Sequence, residues 1–485
     1  MCGFIGIVNR SHHVGTDLNE ALMCLQHRGQ DAAGITTFDG HRFAQKKGKG
    51  LVRDIFNRKN MARLVGEMGI GHVRYPTIGS GSRDDAQPFH IHYPYGVAMA
   101  HNGNVTNYSE LASYLSREKR AHLNSSCDVE VILNMFAVEI GRLGVPDPAP
   151  EPIFTAVQRI FERVKGSYSV VALIADYGLL AFRDPYGVKP MIYGTRKGAD
   201  GMLEYAVASE NVALDILGFR NWVDVEPGEA ILFLPGQEPI RERLVTKTHS
   251  PCIFEHVYFA RPDSIMDGIS VYKTRRRFGK QLARRWRETG LHADVVIPVP
   301  DSACTAASTM ALELGMTYRE GLVKNRYIGR TFIMPEQESR QQSIRRKLNA
   351  IPLEFEGKDV LLVDDSVVRG NTSKQIVDLA RQAGAKKVYF ASCAPQIEHP
   401  CVYGIDMSTR QELVARDRSI EEIRDYIGAD HLIYQRLDDL EEAAREGNPK
   451  IQNFCTACFS GDYPTQDITP EMFTQIERER LGIQA

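Results

Sequence analysis

The stretch "KDVLLVDDSVVRGNTSKQIVDLARQAG" (358–384) decides the fold of the second half of this chain. It predicts a buried strand, an acidic turn, a loop rich in glycine and hydroxyl residues, and an amphipathic helix that ends at glycine. "ADVVIPVP" (293–300) and the helical "TAASTMALELG" (305–315) repeat this order, and "KKVYFASCAP" (386–395) predicts a further strand. Strands that alternate with helices favour βαβ units and a largely parallel sheet.

The first half has a different pattern. Short β-prone runs such as "SYSVVALIAD" (167–176) and "AILFLPG" (230–236) are separated by Gly, Pro, Asn or Asp, and helical patterns occur at 128–143 and 153–164. This mixture predicts stacked sheets with helices on their outer faces. We expect the boundary between the halves within 236–255, which is polar and contains two prolines.

Composition limits the possible functions. The chain has 485 residues, of which 43% are hydrophobic and 25% charged, as is ordinary for a globular protein of two or more domains. A net charge of -2 argues against nucleic-acid binding through bulk charge. No stretch approaches the roughly 20 apolar residues of a membrane span. We therefore expect a soluble, cytoplasmic protein whose nine cysteines are reduced thiols, metal ligands or nucleophiles.

The first residues, "MCGFIGIV" (1–8), place a cysteine directly after the initiator methionine. The apolar run is too short for a secretory signal and no basic segment precedes it. Removal of Met1 would leave a thiol and a free α-amine on Cys2, and an amine with a pKa near 8 can serve as its own base. By itself a cysteine at this position is weak evidence for such a nucleophile.

Four further motifs follow in order: "LQHRGQDAAGI" (25–35), "GHVRYPT" (71–77), "HNGNVTN" (101–107) and "SSCDVE" (125–130). With the N-terminus they resemble the glutaminase domain of class II glutamine amidotransferases. This resemblance implies an N-terminal nucleophile hydrolase sandwich of αββα layers over residues 2–236.

The residue types suit glutamine chemistry. Arg74 can bind the α-carboxylate through two parallel hydrogen bonds, and Asp128 suits the α-ammonium. Attack by Cys2 creates an oxyanion, which the Asn102 side chain and the Gly103 backbone N–H can stabilise. The class II family assigns the same roles to the matching positions. His27 and His101 are expected to be structural, because the terminal amine already supplies the base.

The acidic loop of the opening stretch predicts a phosphate pocket, because backbone N–H groups and a helix N-terminus cradle phosphate. Asp364 and Asp365 can hold ribose hydroxyls or Mg²⁺. The loop resembles the signature that binds 5-phosphoribosyl-1-diphosphate (PRPP) in type I phosphoribosyltransferases. Ser302, in a second turn, is a candidate third Mg²⁺ contact, and the basic segment 324–333 is expected to close over pyrophosphate. The expected PRPP-binding residues are Asp364, Asp365, Ser366, Arg369, Gly370, Asn371, Thr372, Ser373, Lys324 and Arg330.

Both halves, in this order, resemble the glutamine phosphoribosylpyrophosphate amidotransferases. The resemblance implies transfer of ammonia from glutamine to PRPP, giving 5-phosphoribosylamine, glutamate and pyrophosphate, at the first committed step of purine biosynthesis. It also implies a homotetramer that purine nucleotides inhibit. We expect a glutaminase domain at 2–236, a phosphoribosyltransferase domain at 255–440 and a C-terminal segment at 441–485. The alternatives are another class II amidotransferase, or a PRPP-sensing regulator with a vestigial glutaminase domain.

"NFCTACF" (453–459) contains a CxxC pair near the C-terminus, where a thioredoxin-type redox role is not expected. Cys252 and Cys401 each follow a proline. The iron–sulfur branch of the family has cysteines in the contexts of Cys252, Cys401, Cys455 and Cys458, where they ligate a [4Fe–4S] cluster. Four thiolates also suit zinc, so the identity of the metal stays open. Members of that branch commonly carry a propeptide before the nucleophile, whereas only Met1 precedes Cys2 here.

Overall fold

The computed structural model describes residues 2–75, 84–144, 147–325, 348–405, 407 and 409–474. In its first half two antiparallel sheets are stacked face to face. Their strands are β1 (Gly3–Val8), β2 (Ala32–Phe38), β3 (Phe43–Lys49), β4 (Met68–Arg74), β5 (Phe89–Ile91), β6 (Val97–Val105), β7 (Gly166–Ile174), β8 (Gly178–Arg183), β9 (Ile192–Lys197), β10 (Leu203–Ala208), β11 (Arg220–Asp224), β12 (Glu229–Phe233) and β13 (Ile240–Arg243). The described strands form a seven-stranded sheet in the order β11-β9-β10-β1-β4-β2-β3 and a six-stranded sheet in the order β13-β12-β8-β7-β6-β5.

Helices cover the outer face of each sheet. They are α1 (Gly15–Cys24), α2 (Val52–Ile55), α3 (Arg58–Met61), α4 (Tyr108–Glu118), α5 (Asp128–Leu143), α6 (Pro150–Arg163) and α7 (Asn211–Ile216). Apolar side chains of α1, α2 and α7 pack on the first sheet, and those of α4, α5 and α6 pack on the second. Phe4 and Val171 belong to the apolar layer between the sheets. The result is the predicted αββα sandwich.

The second half is built on a five-stranded parallel sheet in the order β17-β16-β20-β21-β22. Its elements are β14 (Ile265–Met266), β15 (Ile269–Ser270), α8 (Val271–Glu288), β16 (Val295–Pro298), α9 (Cys304–Leu314), β17 (Thr317–Tyr318), β18 (Leu322–Lys324), β19 (Leu348–Ala350), β20 (Asp359–Asp364), α10 (Asn371–Gln382), β21 (Lys387–Ser392), α11 (Ile420–Ile427), β22 (His431–Tyr434), α12 (Leu437–Arg445) and α13 (Ala457–Ser460). Helices α10 and α11 pack on one face and α8 and α9 on the other, so the predicted parallel-sheet fold is confirmed.

The junction between the halves is buried and charged. Arg183 at the end of β8 is fully buried and donates two hydrogen bonds, of 2.6 and 2.9 Å, to Asp267 in the β14–β15 turn. The carboxylate of Asp224 accepts the backbone N–H groups of Asp267 and Gly268 at 3.0 and 3.1 Å. These contacts join the first half of the chain to the β14–β15 turn of the second half.

The domain limits at 236, 255 and 440 stay predictions. Strand β13 pairs with β12 and extends the six-stranded sheet beyond residue 236.

No helix in the described ranges is long and apolar enough to cross a membrane.

Candidate functional site

The side chains expected to act on glutamine meet at one cavity of about 260 Å³. Cys2 lies directly before β1, Arg74 ends β4, Gly103 lies in β6 and Asp128 begins α5, and all four line the cavity. Neighbouring strands of the sandwich bring these positions together, although Cys2 and Asp128 are far apart in the sequence.

Asn102 and Gly103 lie on the side of the cavity next to the nucleophile. The Asn102 Oδ1 atom accepts a hydrogen bond of 3.2 Å from the Cys2 nitrogen. Its Nδ2 atom is buried and has no hydrogen-bond partner among the described residues. Gly103 has φ +152°, and a side chain there would overlap the carbonyl oxygen of Ser167, so only glycine fits this close approach of strands. Asn102 therefore contacts the backbone of Cys2 directly, and Gly103 lines the same cavity as Cys2.

Charged residues at the other side of the cavity suit an amino acid. Two carboxylates lie 3.6 Å from the Arg74 guanidinium, those of Asp31 and Asp85. Asp128 accepts hydrogen bonds from the His101 ring at 3.2 Å and from the Val105 backbone N–H at 3.0 Å. Burial alone would raise the pKa of Asp128, but these two partners outweigh it and lower the pKa below its usual value. The Asp128 carboxylate is therefore charged at neutral pH.

His27 lies outside this cavity and has a structural environment. Its ring contacts Glu210 at 2.8 Å and the Cys24 carbonyl oxygen at 3.2 Å. The expectation that His27 is not a base agrees with these contacts. His101, in contrast, lines the cavity and contacts the Asp128 carboxylate at 3.2 Å.

Sequence analysis missed Arg28, which is fully buried beside the nucleophile. Its Nε atom donates to the Cys2 carbonyl oxygen at 2.9 Å, and its other nitrogens reach Glu210 and Glu255 at 2.5 and 2.8 Å. Burial opposes the charge, but the two carboxylates outweigh it and raise the pKa of Arg28. Arg28 thus ties Cys2 to a glutamate of the second half. The only sequence signal was its position in the "HRG" motif.

The predicted PRPP loop lies where β20 ends and α10 begins. Asp364 is buried, and burial together with the adjacent Asp365 carboxylate raises its pKa well above the usual value. Asp365 accepts hydrogen bonds from Ser366, at 2.6 Å, and from Ser302. Ser302 thus lies beside Asp365, and its role as a Mg²⁺ contact stays a prediction. The oxygen-rich donor set is of the kind that Mg²⁺ prefers.

The rest of the loop leads into the helix N-terminus. Gly370 has φ +75°, and a side chain there would come within 2.8 Å of the Tyr426 ring. Arg369, Asn371 and Thr372 are exposed and Ser373 is buried. Arg369 forms an ion pair of 3.4 Å with Glu412. The backbone N–H groups at the start of α10 follow, in the position expected for a phosphate cradle.

The basic segment expected to close over the loop falls largely beyond what the structure describes. Lys324 is exposed and forms an ion pair of 3.1 Å with Asp301, the residue before Ser302. Arg330 and most of segment 324–333 lie outside the described residues.

Sequence analysis missed a second arginine, Arg275, which is buried and whose charge is favoured by the Asp365 carboxylate. Arg275 donates hydrogen bonds to the carbonyl oxygens of His256 and Ala260 at 2.9 Å each.

Three of the four cysteines singled out in the sequence, Cys252, Cys455 and Cys458, belong to one buried cluster with Phe254, Tyr403 and Phe459, and the partly buried Cys401 packs against it. Cys252 and Cys455 form an isolated β-bridge between their backbones. Burial raises the pKa of the Cys458 thiol well above its usual value, and the thiols of the other three cysteines add to this rise. Burial raises the pKa of the Cys252 thiol to about 11. Cys393 lies elsewhere, beside Asp365.

All nine cysteines are free thiols. Among the described residues no group of three or more His, Cys, Asp or Glu side chains is arranged to hold a metal ion. The four thiols nevertheless suit a soft metal or a cluster by their chemistry and by their common location, with the buried Lys189 ammonium nearby.

Two domain families match this chain. The glutamine amidotransferase domain matches residues 72–215 and the phosphoribosyl transferase domain matches residues 274–401. The fold and the two sites therefore define a glutamine amidotransferase joined to a phosphoribosyltransferase.

Relatives match the chain over almost its full length. The amidophosphoribosyltransferase of Pseudomonas aeruginosa is 51% identical over 99% of this chain and 96% of its own, and that of Escherichia coli is 51% identical over 96% and 93%. The chain belongs to the amidophosphoribosyltransferase family. A solved structure of the Bacillus subtilis glutamine PRPP amidotransferase with ADP and GMP superposes with a TM-score of 0.84 at 38% identity and covers 96% of this chain and 99% of that chain. The prediction of a pentosyltransferase of purine biosynthesis is thereby confirmed.

Proposed function

We propose that this chain transfers ammonia from glutamine to PRPP, with Cys2 as the nucleophile of the glutaminase half. The observation that carries the proposal is the partnerless Asn102 amide nitrogen beside Cys2, at the edge of a cavity that also contains Arg74 and Asp128. An amide donor buried without an acceptor costs about 1–3 kcal/mol, and an oxyanion formed at this point would satisfy it.

The glutaminase step uses residues of the first half. Once Met1 is removed, the Cys2 amine takes the thiol proton and the sulfur attacks the side-chain amide carbon of glutamine. Asn102 and Gly103 donate to the developing oxyanion, while Arg74 and Asp128 hold the carboxylate and the ammonium. Ammonia leaves, and water releases glutamate from the thioester.

The transferase step belongs to the loop after β20. Asp364, Asp365 and Ser302 would hold Mg²⁺, which when bound neutralises charge on pyrophosphate. Hydroxyl and backbone N–H groups from Ser366 to Ser373 bind the ribose phosphate. Lys324 and Arg330 pair with the pyrophosphate, and closure of their segment excludes water. Ammonia must travel as neutral NH₃, because ammonium has no free electron pair, so a largely apolar path between the sites is required.

Three further features belong to the same proposal. Cys252, Cys401, Cys455 and Cys458 bind a [4Fe–4S] cluster with a structural role, which joins the C-terminal segment to two distant parts of the chain. Their common buried cluster supports this assignment. Purine nucleotides inhibit the enzyme, as the ADP and GMP bound to the Bacillus subtilis relative suggest. The enzyme assembles as a homotetramer in the cytoplasm.

Cys2→Ala tests the glutaminase assignment. The variant should lose glutamine-dependent synthesis of phosphoribosylamine and keep synthesis from concentrated ammonia, because the PRPP site is separate. The matched control is Cys24→Ala, a thiol outside the cavity, which should keep both activities. Glutamate release with and without PRPP then measures the coupling of the sites. Glutamine-dependent activity in Cys2→Ala would contradict the proposal.

Anaerobic purification tests the cluster. Brown protein with about four irons per chain would support it, because a full set of four thiolates holds a cluster of that size. Cys455→Ser should lose the iron, whereas Cys304→Ser, outside the cysteine cluster, should keep it. Colourless, active protein with bound zinc would show that the four cysteines hold zinc and not iron. Active protein without metal would refute both assignments.

A further inference from the structure

Residues 461–474, which follow the cysteine cluster, return to the cavity that contains Cys2. The Tyr463 hydroxyl donates to the Pro400 carbonyl oxygen at 2.6 Å, and Thr465 contacts the Tyr403 hydroxyl at 2.7 Å. Beyond these anchors Asp467 and Met472 form part of the wall of the cavity that contains Cys2. A part of the chain remote from the glutaminase half thus completes its substrate pocket.

Asp467 is the under-satisfied acid of this wall. Its Oδ2 atom accepts one long hydrogen bond, of 3.4 Å, from the Thr106 hydroxyl. Its Oδ1 atom is buried and has no hydrogen-bond partner in the described part of the chain. A buried carboxylate oxygen without a donor is costly, so the position favours a cation.

The other acids of the cavity wall, Asp128 and Glu110, have no buried oxygen without a donor among the described residues. Asp128 accepts the His101 ring and the Val105 backbone N–H, and Glu110 accepts the Asn107 amide at 3.2 Å. Lys165 also lines the cavity. Asp467 is therefore the acid of this wall that has a buried oxygen without a donor among the described residues.

We propose that Asp467 is a specificity-determining residue of the glutamine pocket, which binds the α-ammonium of glutamine together with Asp128. This inference rests on the proposed glutaminase function. An ammonium has three N–H donors, so one carboxylate does not exhaust it. Binding by two carboxylates raises the preference for an α-amino acid amide over an amide that lacks the amine.

Asp467→Asn removes the charge and keeps the shape. We expect the KM for glutamine to rise about tenfold, which corresponds to about 1.4 kcal/mol, with kcat and ammonia-dependent synthesis close to wild type. 4-Carbamoylbutanoate, which is glutamine without its α-amine, is tested as a competitive inhibitor. Its Ki should not change, because it has no ammonium to lose a partner. Asp467→Glu, which keeps the charge, should retain more of the preference for glutamine.

The matched control is Asp462→Asn, an exposed carboxylate of the same segment outside the cavity wall, which should leave both constants unchanged. An unchanged KM in Asp467→Asn would overturn the inference. An equal rise in the KM for glutamine and in the Ki of 4-carbamoylbutanoate would overturn it too. Binding of both ligands weakens alike when the substitution disorders the cavity wall or acts through a partner of Asp467 such as Lys165. Retained glutamine-dependent activity in Cys2→Ala would instead reject the proposed function itself.

Discussion

Replacement of Asn102 by alanine probes the step that the cavity is proposed to catalyse. Asn102 is fully buried, its Oδ1 accepts from the Cys2 nitrogen at 3.2 Å, and its Nδ2 has no acceptor among the described residues. Loss of one donor to an oxyanion costs about 2.7–4 kcal/mol, or about 10²–10³ in kcat. We therefore expect Asn102→Ala to lower kcat with glutamine by about that factor and to change KM little, because the donor acts mainly in the transition state.

The assay is glutamate release at saturating PRPP, with ammonia-dependent pyrophosphate release as the measure of intact folding. Asn104→Ala is the matched control, because its amide nitrogen already donates to the Val402 carbonyl oxygen at 2.8 Å. Asn102→Asp should be at least as slow as Asn102→Ala, since it puts an acceptor where the oxyanion forms. A fall in kcat of less than about tenfold, or an equal loss of ammonia-dependent synthesis, would refute the assignment.

Three further predictions concern the second site and the junction. Asp364→Asn with Asp365→Asn should weaken PRPP binding and abolish synthesis from ammonia and from glutamine, while basal glutaminase survives; unchanged PRPP affinity by calorimetry would place the pocket elsewhere. Arg183→Met should lower the free energy of unfolding by about 3–5 kcal/mol in denaturant titrations, because Asp267 stays buried without its partner, whereas Arg159→Met at an exposed ion pair should change little. Burial lowers the pKa of His256 to about 4, whereas the ordinary pKa of a histidine, as in the unfolded chain, is about 6.5. As the pH drops, the unfolded chain therefore takes up this proton before the folded protein does. The free energy of unfolding should fall between pH 6.5 and pH 4 by at most about 1.4 kcal/mol per pH unit. His256→Gln should reduce that slope in melting curves, and an unchanged slope would count against a neutral buried ring.

The amino-acid sequence by itself predicted the architecture and named most of the candidate residues of both sites. The strand–loop–helix order of 358–384 appears as β20, the candidate PRPP loop and α10, and the helix expected at 128–143 is α5. Such elements can be read locally, because hydrophobic period, caps and glycines act between near neighbours. Cys2, Arg74, Gly103 and Asp128 could be named in advance because their motifs recur in a known order, and they line one cavity.

Only the tertiary structure decided the contacts between distant parts of the chain. Arg28 and Glu255 are 227 residues apart, and no local pattern marks them as partners. Asp467 looks like a solvated acid near the C-terminus, but the chain carries it to the wall of the glutamine cavity. The physical reason is that burial and charge pairing depend on which surfaces come together on folding. Those properties belong to the assembled three-dimensional environment and not to the residue or its neighbours in sequence.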